Sequence, residues 1–143
     1  MVFKKRPMDF NPMFEVVSCF CRWDDRILLL KRQTSKPQGG TWGVPAGKVN
    51  KDDISTGAAM VRELTEETGI IMKVTELKYF GKVYVRYADF DFIYYIFQTE
   101  FKGKPDVKIR REEHQSYNWV TPEEAHKMKL IEDLDKCLEL TNI

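Results

Sequence analysis

The stretch Arg62-Glu63-Leu64-Thr65-Glu66-Glu67-Thr68-Gly69-Ile70, with Gly47 and Asp53 upstream, decides how this chain is read. Residues 56–68 form a helix in this reading, with Ser55 or Thr56 as the N-cap and Gly69 at a C′ position that needs positive φ. Glu63, Glu66 and Glu67 are related by i,i+3 and i,i+4, which puts three carboxylates on one side of the helix. Met60, Val61 and Leu64 take the apolar arc. Ala59 falls among the glutamates, where it leaves room for a loop or substrate. Like charges at this spacing repel and weaken an isolated helix. Either the face is simply solvated or something neutralises it, and a divalent metal with hard oxygen ligands is the leading candidate. Arg62, one turn before Glu66, is placed to hold that carboxylate.

These residues resemble the signature of the Nudix hydrolases, G-x5-E-x7-R-E-U-x-E-E-x-G-U with U aliphatic. Arg62 through Ile70 matches at every specified position, and Gly47 matches the opening glycine. Asp53 stands where the family has glutamate, and one extra residue, most simply Ile54, precedes the arginine. The family gives that acidic position a supporting role, so Asp53 is expected to do no chemistry and Asp53→Asn little harm. The resemblance implies an α/β fold, a Nudix-type α/β/α sandwich with a mixed β-sheet between helices. It implies hydrolysis of a pyrophosphate bond in a nucleoside diphosphate linked to another moiety, with Mg²⁺ or Mn²⁺ as cofactor. Glu63, Glu66 and Glu67 are then the metal ligands, joined by the carbonyl of Ala46, and Arg62 orients the glutamates. Several family members use a glutamate in the loop before the last core strand to bind metal or activate water. Glu113, six residues before Trp119, has that location, and its neighbour Glu112 is the alternative. A solvated acidic turn is the plainer account of both. His114, next to them, is read as a contact to phosphate or base at most.

The substrate is less legible. Arg32, Lys31, Lys48 and Arg86 are candidates to meet phosphates, and Trp42, Phe80, Tyr84, Phe92 and Tyr94 include candidates to stack on a base. Arg32, Lys48 and Trp42 are the substrate-binding choices. The extended patterns of the NADH-cleaving and coenzyme A branches are not visible, which leaves a nucleoside triphosphate or modified nucleotide as the leading substrate. ADP-ribose, dinucleoside polyphosphates, RNA 5′ ends, and a nucleotide-binding module without turnover are the alternatives. All three helix glutamates are kept, which favours an enzyme.

Composition bounds these readings. A chain of 143 residues suits one domain, 1–143, and 43% hydrophobic residues allow it a core. A net charge of +1 gives no global attraction to nucleic acid or membrane, so neither is expected as a partner. No apolar run approaches the roughly 20 residues of a membrane span, and residues 1–13 lack a signal-peptide pattern. The expectation is a cytoplasmic monomer or homodimer. Cys19, Cys21 and Cys137 suggest neither a disulfide framework nor a zinc site. Strands are expected over 14–22, 26–32, 73–87, 91–101 and 116–120, with helices from Pro122 and over 131–141. Polar loops over 33–41 and 102–113 complete the layout.

Overall fold

Ile27-Leu28-Leu29-Leu30 is buried along its whole length, which requires a layer on each face of its strand. The computed structural model, which describes residues 1–143, supplies both layers. Ile27 and Leu29 join one core with Phe20, Val85, Leu134 and Leu138, whereas Leu28 and Leu30 join a second with Val17, Cys19, Met60 and Leu64. The strands are β1 (Val2–Phe3), β2 (Pro12–Trp23), β3 (Arg26–Arg32), β4 (Trp42–Gly43), β5 (Ala46–Lys48), β6 (Lys78–Arg86), β7 (Asp91–Phe101) and β8 (His114–Val120). Helix α1 (Thr56–Thr68) covers one face, and α2 (Pro122–His126) and α3 (Leu134–Thr141) cover the other. This is a mixed sheet in an α/β sandwich.

The sheet runs β1-β6-β7-β2-β3-β4, with β5 paired to β2 and β8 to β3. Only β2 and β7 run parallel, in a register that sets Val16 beside Tyr94 and Cys19 beside Phe97. Both strands carry alternate residues to opposite faces, and their long apolar runs suit the middle of a two-faced sheet. The N-terminal half of β2 pairs with β5 through Val17 and Gly47, which brings the loop before α1 onto the sheet. No helix is long and apolar enough to cross a membrane.

Helix α1 has the expected limits. The Ser55 side chain accepts the Ala58 N–H, and Gly69 takes φ 73° at the C-terminal cap. Other boundaries differ. The last helix starts at Leu134, not 131, because Ile131 N–H donates to the Trp42 carbonyl and Asp133 takes φ 70°. Residues 74–76 form a 3₁₀ turn closed by the Glu76 carboxylate on the Lys73 N–H, so β6 begins only at Lys78. The short strands β1, β4 and β5 lie outside every strand expected from sequence, and each is fixed by pairing with a longer strand. Ala59 is fully buried with Met60 and Leu64, so it offers no room to a substrate. The stripe Ala59, Glu63 and Glu67 faces inward, and the apolar arc extends to Ala59.

Leu64 anchors α1 to the sheet at 0% exposure. Leu64→Ala should lower unfolding free energy by about 2–5 kcal/mol. Denaturant titration measures this, and a loss under about 1 kcal/mol would mean that α1 is not packed through this residue.

Candidate active site

Three pieces of chain meet at the start of β5. Gly47 carries no side chain because the Glu63 carboxylate lies where its Cβ would be. Glu67, one turn further along α1, accepts the Ala46 N–H at 2.9 Å through Oε1. Both carboxylates are buried, whereas Glu66 is exposed on the outer side of the helix. The three glutamates therefore do not share one environment, although they share one side of α1.

Arg62 ties the group together. Its Nε donates to Asp53 Oδ1 at 3.0 Å, and one terminal nitrogen donates to Asp53 Oδ2 at 2.9 Å and to the Lys48 carbonyl at 3.1 Å. The other terminal nitrogen donates to Glu63 at 2.9 Å and to Glu66 at 3.3 Å. A planar guanidinium suits such a bidentate grip on Asp53. The Arg62 contacts hold the Asp53 carboxyl below its usual range. Asp53 does not line the main cavity, but it grips the arginine that contacts two glutamates.

Burial raises Glu63, with the Arg62 contact opposing it. Burial also pushes Glu67 well above the usual carboxylate range, and the charge of Glu63 adds to this. Two buried carboxylates beside a loop whose glycine makes room for one of them form a set that fits a hard divalent cation.

Across the site, the end of the 102–113 loop brings in Glu113 and His114. Donor atoms of Glu67, Glu113 and His114 lie within 4.8 Å of one another. Burial lowers the His114 pKa to about 4, so the ring is neutral at physiological pH. Glu112, by contrast, is exposed and 3.6 Å from Arg110. The clustering of His114 with Glu67 had no sequence signal beyond its position next to Glu113.

A cavity of about 250 Å³ opens beside these groups, and Arg32, Lys48, Ala46, Gly47, Glu67 and His114 are among the residues that line it. Its wall is aromatic: Phe14, Tyr87, Phe90, Phe92 and Tyr94. Phe14 stacks on Phe92 with ring centroids 5.4 Å apart, and the Lys48 ammonium sits 4.2 Å from the Phe14 centroid. Of the residues named from sequence, Arg32, Lys48, Phe92 and Tyr94 line the cavity. Trp42 does not, since it lies in β4 against the core with Lys31 5.9 Å from its ring. Arg86 is held by Asp91 at 2.8 Å and by Asp9 at 3.3 Å. Tyr84 packs edge-on against Phe10, and Phe80 is exposed on β6. Phe14, Tyr87 and Phe90 were not singled out from sequence. The period-two placement of Phe90, Phe92 and Tyr94 was the available signal.

A family model described as NUDIX domain matches residues 13–140. The chain is 36% identical over 115 residues to a CTP pyrophosphohydrolase of Escherichia coli, covering 79% of each protein. A MutT protein from Methanosarcina mazei has a similar crystal structure, with a TM-score of 0.75 and 28% identity over 95% of this chain and 99% of that one. The NUDIX domain of Shewanella oneidensis NrtR, solved with ADP ribose, shares the fold at a TM-score of 0.79 and 19% identity, over 97% and 92% of the two chains.

A methyl group at Gly47 would displace the Glu63 carboxylate. Gly47→Ala should lower metal-dependent turnover by about a hundredfold or more, the scale of losing one strong transition-state contact. Gly103→Ala, with open space around its Cα, is the control and should match wild type in the same steady-state assay.

The raised Glu63 and Glu67 pKa values also set a pH dependence. A folded pKa above the unfolded one gives stability that is complete below about pH 4 and is lost as pH rises through the folded value. Metal-free Glu67→Gln should therefore melt higher than wild type at about pH 8 and close to it at about pH 4, since the amide oxygen can still accept the Ala46 N–H. Calorimetry at the two pH values checks this. A variant that melts lower than wild type at the alkaline value would remove the argument that burial strains this carboxylate.

Proposed function

Since the chain belongs to the Nudix hydrolase family and is a Nudix pyrophosphohydrolase, we propose that its substrate is a nucleoside triphosphate or a modified nucleotide. The observation that carries this reading is one small cavity lined by the buried carboxylate of Glu67, by two cations and by an aromatic wall. The CTP-cleaving relative supports the same substrate class.

In this reading Glu63, Glu66, Glu67 and the Ala46 carbonyl hold Mg²⁺ or Mn²⁺. The metal, when bound, offsets phosphate charge and lowers the pKa of water. Arg32 and Lys48, the two cations that line the cavity, meet the phosphates. The aromatic wall holds the base and excludes water from it. Arg62 keeps Glu63 and Glu66 in place through Asp53 and touches no substrate. Glu113 faces Glu67, where it takes the proton of the attacking water or completes the metal shell. The working context is a cytoplasmic protein of one domain, 1–143, monomeric or homodimeric, with no stable nucleic-acid partner.

The test is pyrophosphate release from a panel of nucleoside triphosphates, modified nucleotides, ADP-ribose and dinucleoside polyphosphates with Mg²⁺ or Mn²⁺. Glu113→Gln should lower kcat by about 10²–10⁴ with little change in KM, and exposed Glu112→Gln should resemble wild type. Full activity after exhaustive chelation would rule out the metal-dependent mechanism. Saturable nucleotide binding without turnover would make the chain a binding module.

A further inference from the structure

His114 is 5% exposed, and its Nδ1 is buried with no hydrogen-bond partner. A buried polar ring nitrogen without a partner is costly, and natural structures rarely keep one without a reason. The ring lines the same cavity as Glu67. One donor atom from each of Glu67, Glu113 and His114 falls within 4.8 Å of the other two, the spacing of ligands around a single ion. They come from two parts of the chain: Glu67 from the last turn of α1, and the consecutive Glu113 and His114 from the start of β8.

We propose that Glu67, Glu113 and His114 form a nitrogen-containing site for a divalent transition ion, adjoining the all-oxygen set of Glu63, Glu66 and the Ala46 carbonyl. The inference rests on the metal-dependent reading above and adds a donor that the signature does not contain. The added donor changes which ion the enzyme selects. Carboxylate and carbonyl oxygens suit Mg²⁺, which keeps its waters and dehydrates reluctantly. An imidazole beside two carboxylates favours Zn²⁺, Fe²⁺ or Ni²⁺ over Mg²⁺, and paramagnetic Mn²⁺ serves as the probe of the same site. Glu67 is the carboxylate that would be shared between this site and the helix glutamates. Glu113 then acts chiefly as a ligand of this second ion.

Binding can be read without substrate or turnover. Mn²⁺ is added to the full-length, metal-free protein, and pulsed electron paramagnetic resonance records couplings from nitrogen to the bound ion. Wild type should show an imidazole nitrogen coupling that changes to the ¹⁵N pattern when histidine is ¹⁵N-labelled. His114→Gln should abolish the coupling, and His126→Gln, at an exposed position on α2, should keep it. Mn²⁺ affinity should fall about tenfold or more in His114→Gln, with Mg²⁺ affinity changed by less than about twofold. Bound Mn²⁺ with no histidine coupling in labelled wild type would overturn the proposal, whatever the variant's folding. Coupling that survives in His114→Gln would overturn it as well. A protein inactive on every nucleotide can still show the coupling, and an active one can lack it, so this test and the substrate panel fail separately.

Discussion

Everything around the candidate site hangs on one side chain, the guanidinium of Arg62. It spends its nitrogens on Asp53, Glu63, Glu66 and the Lys48 carbonyl. Arginine supplies five donors in a rigid fork, and lysine would supply a single point charge. The fork therefore joins three segments: the turn before α1, α1 itself and the end of β5. Without it, the buried Glu63 carboxylate would lose the cation that opposes its charge. Asp53 matters because it sets the plane of the fork, so its worth lies in geometry.

The most local features were legible from the residues alone. Helix α1 begins and ends where Ser55 and Gly69 say it should, because capping is decided within a few residues. Leu28-Leu29-Leu30 announced a strand covered on both faces. What depended on distant partners was not legible. Strands β4 and β5 exist because β3 and β2 lie beside them, and two or three residues carry too little pattern to say so. The final helix starts late because the backbone of Ile131 is already claimed by Trp42.

The site divides the same way. The glutamates of α1 could be read from spacing, but their unequal burial could not, since it depends on how Gly47 and Ala46 dock against the helix. Arg86 read as a phosphate ligand because its two aspartates are invisible in a pattern of charges. Trp42 read as a stacking residue because large aromatics do both jobs. Only the sheet shows that the wall belongs to Phe14 and Phe92. His114 had no pattern at all, because its neighbour Glu67 lies in another element.

The parallel pairing of β2 with β7 has a consequence for how the chain reaches this structure. The Ser18 hydroxyl donates to the carbonyl of Tyr95, 77 residues further on, and the strands around them form the middle of the sheet. Helix α1 needs only its own caps, but it has no finished surface to rest on until β7 is present. Closing so long a loop is entropically unfavourable before its contacts form, and topologies rich in such pairings fold slowly. On the ribosome, the first two-thirds of the chain must therefore wait, with one edge of β2 unpaired, for the strand that joins β2 to β6.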